Sequence, residues 1–374
     1  MNYKDKYIKY KAKYLELKNN INNQIGGNKK QKCLIDETDK IMFGNGGSSS
    51  IIIITKNNQV FKVFIFYNFI LDIELKRQIK INNHKVKSEI KICELLTKKI
   101  VDKNISNHIV KYKGLSNCKN AELLFTKCSK SYVDFLKLDV QQKTDLCYDY
   151  FRRYPLNKIN SEYKVIEIEY CDYSCAEFIK DISKLSEFEM EKYLNIFFFQ
   201  IIYTILSIQK EFPYFTHNDL FIRNILGIKE IDTNNFYTYV FNNKKYYVPQ
   251  KIFFPKINDF GLSNLNSKYK NVKLFKSLYK DIYNIIFDVY DGAGMGSTSL
   301  SELCKNNPNK LQFLKKYFSN YFNVNVIDEY KIKSKNLMNR NWSHILDDEF
   351  LKSIEMKNPF TLLDEYFYNI FGKN

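Results

Sequence analysis

A change in hydrophobic periodicity part-way along the chain limits the folds that this sequence can adopt. Residues 41–66 and 163–171 contain short apolar and β-branched runs, such as IIIIT and YKVIEI, which are typical of β-strands, and IVKY at residues 109–112 predicts another. Residues 84–99 have helical spacing, and residues 187–211 form a long apolar helical pattern. The sequence therefore predicts an α+β fold, in which a strand-rich first part with one helix precedes a mostly helical second part.

The first 27 residues differ from the rest of the chain. Tyrosines recur at helical spacing in residues 1–18, with lysines around the remaining face, which predicts an amphipathic helix over residues 1–27. Gly26 and Gly27 end this pattern, and residues 28–39 are a polar linker. A solvated helix that docks loosely is one interpretation, and a helix that binds a partner is the other. The segment resembles a Lys/Tyr-rich N-terminal helix that recurs in proteins of large amoeba-infecting DNA viruses.

The chain is strongly basic, with a formal net charge of +17 over 374 residues. Such a charge is typical of proteins that bind nucleic acids. However, Lys, Asn, Ile, Tyr and Phe are all abundant, and A/T-rich codons encode these residues, so a coding bias accounts for the charge. The lysines are also scattered along the chain. We therefore expect no nucleic-acid partner.

The eight cysteines do not form a metal-binding pattern, because no CxxC pair occurs and the closest pair, Cys171 and Cys175, has no neighbouring histidine. Reduced, mostly buried thiols in a cytosol-like compartment are the better interpretation. The N-terminus lacks the apolar region of a signal peptide, and the most apolar run, residues 196–208, is too short to span a bilayer. We expect a soluble cytoplasmic protein without a membrane partner, in the host cytoplasm or virion if it is viral.

Two features of the strand-rich part are typical of a phosphate-binding site. The GNGG stretch at residues 44–47 lies at the entry of a β-hairpin, where glycines let backbone amides approach a phosphate closely. Lys62 lies within the apolar strand VFKVF, and its neighbours Phe61 and Val63 point to the other face. A lysine that points inward from such a strand requires an anionic partner. An ordinary glycine-rich turn and a solvent-facing lysine on an edge strand are the alternatives.

Two further motifs belong to the helical part. FTHNDLFIRNIL, at residues 215–226, places His217, Asp219 and Asn224 close together. An aspartate beside a hydroxyl nucleophile can accept its proton, and an amide oxygen five residues later can ligate a metal. Asp259 follows an apolar strand in INDFG, where a carboxylate can hold a divalent ion that bridges nucleotide phosphates. The alternatives are an ordinary polar turn and a turn aspartate before glycine.

In this order, the motifs resemble those of the protein-kinase superfamily, over roughly residues 40–370. HNDLFIRN is similar to the catalytic loop H-R-D-L-x-x-x-N, and NDFG is similar to D-F-G. The resemblance implies a bilobal fold, in which a small β-rich N-lobe with one αC helix covers residues 40–170 and a larger helical C-lobe covers residues 171–374. It also implies ATP and Mg²⁺ as cofactors.

The resemblance assigns a role to each site residue. Asp219 is the catalytic base, and Lys62 contacts the α- and β-phosphates. The ion-pair partner of this lysine is Glu89, with Glu94 as the second choice. The implied ligands of Mg²⁺ are Asn224 and Asp259. The implied nucleotide contacts besides the lysine are Gly44, Gly46, Gly47, Ile51, Glu169 and Cys171, with Ile168 as the gatekeeper beside adenine.

Several positions depart from the kinase pattern. Ser49 replaces the third glycine of the glycine-rich loop, and Asn218 replaces the arginine that senses a phosphorylated activation loop. Phe221 stands where Ser/Thr kinases have a lysine. Arg223 is a candidate substitute for that lysine, and an ordinary surface arginine is the alternative. These departures leave open whether the chain is fully active.

The spacing of the motifs also differs from that of ordinary kinases. Asn224 and Asp259 are 35 positions apart, which leaves room for an insertion at about residues 228–255, and YTYVFNNKKYYVP predicts a β-hairpin there. Only 22 positions separate Asp259 from Asp281, without an A-P-E motif. Both departures resemble haspin-like and viral kinases. By the resemblance, Asp281 braces the catalytic loop, and a favourable position near a helix N-terminus is the alternative.

The leading hypothesis is a serine/threonine-protein kinase that transfers the γ-phosphoryl group of ATP, with Mg²⁺, to a protein hydroxyl. Its protein substrate cannot be inferred from the sequence. A small-molecule kinase of the aminoglycoside or choline type is the second hypothesis, because HNDL followed by N-I-L is common in those relatives. A pseudokinase or scaffold is the third, motivated by Ser49, Asn218 and Phe221.

Overall fold

The structure is a computed structural model, and it describes residues 33, 41–44, 51–55, 57–67, 73–119, 159–229, 235–250, 253–265, 274–292, 298–325, 355 and 357–372. Within these residues, a five-stranded sheet with one long helix precedes a mostly helical part, which also holds a three-stranded sheet and a two-stranded hairpin. The predicted sequence of a strand-rich part and a helical part is confirmed.

The five-stranded sheet places Lys62 near its centre. Its antiparallel strands follow the order β1-β2-β3-β5-β4, and their bounds are Ile41–Gly44 (β1), Ile51–Thr55 (β2), Val60–Tyr67 (β3), Tyr112–Cys118 (β4) and Ile159–Ile168 (β5). Lys62 lies opposite Ile52 of β2 and Ile166 of β5. The side chain of Lys62 is buried. The alternative of a solvent-facing lysine on an edge strand is therefore wrong.

One long helix packs against this sheet. It runs from Ile73 to Leu96 and continues as a π-helical turn over Thr97–Val101, so it begins earlier than the predicted 84–99. Its buried residues Val86 and Ile90 belong to the same apolar cluster as Val60 and Phe64 of β3. Because side chains alternate along a strand, Lys62 shares a face with Val60 and Phe64 and is directed towards this helix.

The strand predicted at residues 109–112 begins later than expected. Ile109 forms only an isolated parallel bridge, to Ile257, and the continuous strand starts at Tyr112. In this bridge the Ile257 N–H donates to the His108 carbonyl at 2.9 Å, and the Val110 N–H donates to the Ile257 carbonyl at 3.0 Å. The backbone here therefore bonds to the helical part of the chain instead of extending β4.

The helix Glu187–Glu211 forms the centre of the helical part, with the predicted bounds. At its start Ser186 and Glu189 form a capping box, in which each side chain accepts the backbone N–H of the other residue. All positions from Tyr193 to Ile208 are buried, so neighbouring elements surround the helix. The other helical segments that the structure describes in this part are Cys175–Ile182, Ile222–Asn224 and Phe260–Leu262 (both 3-10 helices), Leu274–Asp291, Leu300–Leu303, Pro308–Phe318, Pro359–Thr361, Leu362–Phe367 (a π-helix) and Tyr368–Phe371.

A three-stranded sheet brings two of the predicted motifs together. It has the order β10-β7-β6, with bounds Phe253–Ile257 (β10), Ile225–Lys229 (β7) and Tyr173–Ser174 (β6). β7 begins directly after Asn224, β10 ends two residues before Asp259, and Ile257 pairs with Ile225. The two predicted metal ligands, Asn224 and Asp259, therefore lie at the same end of this sheet.

The predicted insertion contains the expected β-hairpin. Strands β8 (Phe236–Phe241) and β9 (Lys244–Pro249) are joined by Asn242 and Asn243, both of which have positive φ angles (47° and 64°). Asparagine tolerates this left-handed conformation better than most residues, which explains the tight turn. One face of the hairpin is buried against the helical part, and the other face exposes Phe236 and Val240.

The expectation that all thiols are reduced is wrong for one pair. A disulfide joins Cys33 to Cys118 at the end of β4, across 85 residues of sequence. No local spacing signals this pair, because only the tertiary structure brings the two cysteines together. Among the described residues Cys93, Cys171, Cys175 and Cys304 are free, as expected.

Some predictions fall outside the described residues. These are the helix over 1–27, the linker except Cys33, and the glycine-rich loop at Gly46, Gly47 and Ser49. The domain bounds at residues 40, 170 and 374 also stay predictions. In the described part of the chain, no helix has both the length and the apolar character needed to cross a bilayer.

We predict that Gly227→Ala destabilises the pairing of β7 with β10. A Cβ atom at Gly227 would lie 2.0 Å from Cε2 of the buried Phe253 ring, so the ring would have to move. Overpacking of this kind costs about 1–3 kcal/mol in the free energy of unfolding, which denaturant titration measures.

Gly114→Ala in β4 is the matched control, because a Cβ atom there would have no heavy atom within 4 Å. We expect this variant to stay within about 0.5 kcal/mol of the wild type. Equal stability of the Gly227 and Gly114 variants would contradict the proposed clash. Recovery of stability in the double variant Gly227→Ala/Phe253→Leu would locate the effect at this contact.

Candidate active site

The ammonium group of Lys62 joins two carboxylates from distant parts of the chain. Its Nζ donates to Oε1 of Glu89 on the helix Ile73–Leu96, and to Oδ1 of Asp259 at 3.2 Å. Lys62 and Glu89 are buried, whereas the side chain of Asp259 is 35% exposed. The structure therefore brings together three of the predicted site residues and selects Glu89 rather than Glu94 as the partner of the lysine.

The electrostatics of this cluster favour the charged forms of Lys62 and Asp259, whereas burial raises the pKa of the Glu89 carboxyl above its usual value despite the attraction of Lys62. Burial lowers the pKa of the Lys62 ammonium, but the attraction of Glu89 and Asp259 outweighs this effect and the net shift is upward. Burial raises the pKa of the Asp259 carboxyl, but the charge and hydrogen bond of Lys62 outweigh it, and the pKa lies below its usual value. The Asp259 carboxylate, which is the more exposed of the two, is thus kept ionised.

Asp219 and Asn224 form a second cluster within the loop HNDLFIRN. The Asn224 amide donates to the Asp219 carbonyl at 2.6 Å and to its Oδ2 at 2.8 Å. Arg223 donates from Nη2 to Oδ1 of Asp219 at 2.5 Å, and its guanidinium group lies 4.7 Å from the centre of the Phe221 ring. Both oxygens of the predicted base are therefore held by neighbours in the same loop.

Hydrogen bonds through Asn258 connect the two clusters. The Asn258 N–H donates to the Asn224 carbonyl at 2.9 Å, and the Asn258 carbonyl accepts from Nε2 of His217 at 2.9 Å. Because Asn258 immediately precedes Asp259, these bonds hold the residue of the first cluster beside the loop of the second. The five residues Lys62, Glu89, Asp219, Asn224 and Asp259 thus belong to one connected site.

Two side chains of the helix Leu274–Asp291 accept hydrogen bonds from the backbone of the loop HNDLFIRN. Asp281 accepts the backbone N–H groups of His217 at 2.6 Å and Asn218 at 2.8 Å, and the Asp288 carboxylate accepts the Ile222 N–H at 2.8 Å. Burial raises the pKa of the Asp281 carboxyl above its usual value, against the effects of His217 and of the two backbone donors. Asp281 lies in the interior of this helix, so the alternative of a residue placed near a helix N-terminus is wrong.

Sequence reasoning missed the role of Asp288. Its signal was its position seven residues after Asp281, because residues two helical turns apart lie on the same face of a helix. Two aspartates on one face can bind two points of an irregular backbone segment. The loop 217–224 is fixed in this way at both ends.

The predicted adenine contacts lie between the two parts of the chain. The Glu169 carboxylate accepts from Nζ of the buried Lys256 at 2.9 Å and from the Lys111 N–H at 3.0 Å. The Glu169 N–H donates to the Lys111 carbonyl at 2.8 Å, so this N–H is already used within the protein. Burial raises the pKa of the Cys171 thiol to about 12, so this thiol is protonated. Sequence reasoning missed Lys256, because its partner is distant in the chain.

The described part of the glycine-rich segment leads towards the lysine cluster. Gly44, at the end of β1, lies opposite Ile52, which in turn lies opposite Lys62. Ile51 lies opposite Val63, next to the lysine on β3. Gly44 is therefore separated from Lys62 by one strand, β2.

The arrangement offers oxygen donors for a hard cation. The Asp259 carboxylate and the amide oxygen of Asn224 are ligand types that Mg²⁺ accepts, usually together with water and phosphate oxygens. The Asn224 nitrogen is used in bonds to Asp219, so the amide presents its oxygen as the remaining ligand atom. No cluster of three or more His, Cys, Asp or Glu side chains suited to a metal occurs among the described residues. The donors thus fit an ion that nucleotide phosphates help to hold.

A comparison with known proteins identifies the family. The chain is 30% identical, over an alignment of 287 positions, to a protein of Acanthamoeba polyphaga mimivirus named a putative serine/threonine-protein kinase, and the match covers 66% of this chain and 69% of that protein. The chain belongs to the protein-kinase family. No protein-family model matches it. The resemblance that the motifs HNDLFIRN and NDFG indicated is thereby confirmed.

We predict that Asp281→Asn destabilises this kinase-family chain through the loop. Asparagine keeps the size of the side chain but replaces one acceptor oxygen by an amide group, so a backbone N–H of His217 or Asn218 loses its partner. An unsatisfied buried donor costs about 1–3 kcal/mol in the free energy of unfolding. Glu191→Gln, at an exposed position of the helix Glu187–Glu211, is the control. Unchanged stability of the Asp281 variant in denaturant titration would show that the carboxylate is not required as a brace.

Proposed function

We propose that the protein is a serine/threonine-protein kinase that transfers the γ-phosphoryl group of ATP to a hydroxyl group of a protein, with Mg²⁺ as cofactor. The observation that carries this proposal is the convergence of Lys62, Glu89 and Asp259 with the loop of Asp219 and Asn224. Phosphoryl transfer requires a fixed cation for the phosphates, oxygen ligands for a metal and a carboxylate near the attacking hydroxyl. In this proposal Lys62 supplies the cation, Asn224 and Asp259 supply the oxygen ligands, and Asp219 supplies the carboxylate.

The nucleotide is held from the side of the five-stranded sheet. In this proposal Lys62 donates to the α- and β-phosphates, and Glu89 keeps the ammonium group in place from the helix behind it. The backbone amides near Gly44 approach the phosphates, and Ile51, Glu169 and Cys171 line the site of the base and sugar. A buried ammonium group with a second carboxylate at 3.2 Å can exchange that contact for a phosphate without leaving its partner Glu89.

Asn224 and Asp259 would hold Mg²⁺ through their side-chain oxygens. When bound, Mg²⁺ neutralises charge on the phosphates and keeps them in line for transfer. The chain contributes two features to this arrangement. The lowered pKa of Asp259 keeps its carboxylate ionised, and the bonds from Asn258 to the loop keep the two ligands side by side.

The acceptor hydroxyl is activated by Asp219. Its carboxylate accepts the proton while the oxygen of the hydroxyl attacks the γ-phosphorus. Arg223 supports this step in place of the lysine that Phe221 replaces. Its guanidinium group contacts Asp219 at 2.5 Å and stacks near the Phe221 ring, so a positive charge is present where the transferred group carries negative charge.

We predict that Asp219→Ala lowers kcat by about 10²–10⁴-fold, the range expected for loss of a general base. Because Asp219 is not among the proposed nucleotide contacts, Mg²⁺-dependent stabilisation by ATP in a thermal shift assay should persist. Phosphate transfer from radiolabelled ATP to peptide pools measures the rate, with Glu191→Gln as the control. A rate equal to that of the wild type would remove Asp219 from the mechanism.

The same assay distinguishes the alternatives. Asp259→Ala should lose both phosphate transfer and the Mg²⁺-dependent part of the ATP thermal shift. Radiolabel that appears only on an amino-alcohol or aminoglycoside would replace the protein substrate by a small molecule. A wild type without any Mg²⁺-dependent thermal shift would identify a pseudokinase.

A further inference from the structure

A buried hydrogen-bond chain connects the inserted hairpin to the rest of the fold. The Tyr239 hydroxyl, on β8, lies 2.7 Å from Nε2 of His108, and Nδ1 of His108 lies 2.9 Å from the Pro255 carbonyl on β10. The Gln200 amide, on the helix Glu187–Glu211, donates to the same hydroxyl at 3.1 Å. Tyr239, His108 and Gln200 are all at least nine-tenths buried. This series of hydrogen bonds therefore runs through the protein interior, where a polar atom without a hydrogen-bond partner is costly.

The direction of each hydrogen bond follows from the groups involved. The Pro255 carbonyl can only accept, so Nδ1 of His108 carries the ring proton. Burial lowers the pKa of His108 to about 3, so the ring is neutral and Nε2 is an acceptor. The Tyr239 hydroxyl then donates to His108 and accepts from Gln200. Each of these three hydrogen bonds has a defined donor and acceptor, and a phenylalanine at position 239 could neither donate to His108 nor accept from Gln200.

His108 lies at the junction of two segments that lead to the active site. On one side its backbone carbonyl accepts the Ile257 N–H of β10, the strand that ends two residues before Asp259. On the other side, a short turn connects His108 to the end of the helix that carries Glu89. In this turn the backbone N–H groups of residues 102, 104 and 105 donate to carbonyl groups of the π-helical segment Thr97–Val101. A displacement of His108 would therefore shift both segments, and with them the Glu89 and Asp259 carboxylates that contact Lys62.

We propose that Tyr239 is a positioning residue, through which the inserted hairpin holds His108 and thereby the segments that carry Glu89 and Asp259 in register. The expected effect on nucleotide binding rests on the proposed function, whereas the effect on the position of His108 does not. The hairpin is absent from the spacing of ordinary kinases, so the contact is an addition to the site by the insertion.

The hairpin itself supplies a matched control. Tyr246 is the cross-strand neighbour of Tyr239, is fully buried and packs against the same ring of Phe199, at 5.1 Å compared with 5.2 Å for Tyr239. Its hydroxyl donates to the carbonyl of Leu363 in the C-terminal helical segment. Tyr246→Phe therefore removes a buried hydroxyl from the same hairpin without affecting His108.

The first experiment measures hydrogen exchange in the full chain and needs no nucleotide. The relevant amides are Val110 and Ile257, whose N–H groups donate across the junction. In Tyr239→Phe we expect both to exchange about tenfold faster than in the wild type, the change expected for the loss of one buried hydrogen bond. In Tyr246→Phe they should exchange at the wild-type rate. Equal exchange in both variants would overturn the proposal.

The second experiment measures the affinity for Mg²⁺–ATP and for adenosine at a temperature well below the unfolding transition of each variant. Tyr239→Phe should bind Mg²⁺–ATP about 5–10-fold more weakly, a typical size for coupling between sites, and should bind adenosine as the wild type does. The reason is that adenosine has no phosphates to reach Lys62 and Asp259. The same loss for both ligands, or in Tyr246→Phe, would indicate general destabilisation and overturn the proposal.

The two experiments separate this inference from the proposed function. If the wild type does not bind Mg²⁺–ATP, the proposed function fails, and the exchange of Val110 and Ile257 still decides whether Tyr239 holds the junction. If Tyr239→Phe does not fold, Gln200→Met replaces it, because this variant removes the donor to the hydroxyl and should increase exchange at the same two amides. Wild-type exchange in the Gln200 variant would then overturn the proposal.

Discussion

The site depends on the ion pairs that the buried ammonium group of Lys62 forms with Glu89 and Asp259. A charge in the interior is tolerated only with a close counter-charge, and this lysine has two, from a helix and from the segment after β10. Removal of Glu89 would leave the ammonium group buried beside the partly exposed Asp259, and removal of one partner from such a pair typically costs about 3–5 kcal/mol. The ion pair therefore fixes the sheet, the helix and the Asp259 segment relative to one another. In the proposed function, the contact of Lys62 with Asp259 is the one that a phosphate would replace.

The loop of residues 217–224 is held differently, because most of its backbone lies outside helices and strands. Buried N–H groups outside regular structure need acceptors, and side chains from a neighbouring helix supply them here. Asp281 and Asp288 accept three such groups, and Asn258 bonds to the loop at two points. These bonds therefore fix the position of Asp219, although only Ile222–Asn224 of the loop forms regular structure, a short 3-10 helix.

Local patterns predicted much of this structure. The helix Glu187–Glu211 was predicted with its bounds from its long, mostly apolar helical pattern, and the structure shows that a capping box begins it. The hairpin around Asn242 and Asn243 was also predicted, because its turn depends on residues that tolerate positive φ. The errors concern contacts between distant segments. The segment around Ile109 pairs with β10 rather than extending β4, and Cys33 bonds to Cys118, which no spacing in the sequence indicates.

The sequence by itself determined the order of the elements, the kinase family resemblance and the identity of the five residues Lys62, Glu89, Asp219, Asn224 and Asp259 as candidates, because these depend on local periodicity and on short motifs. The choice of Glu89 over Glu94, the braces from Asp281 and Asp288, and the chain from Tyr239 through His108 to β10 were decided only by the tertiary structure. The physical reason is that hydrogen bonds and ion pairs act over a few ångströms, whatever the separation of their partners along the chain. Residues 62 and 259 meet because the helix and both sheets pack around them, and no pattern within either segment contains that information.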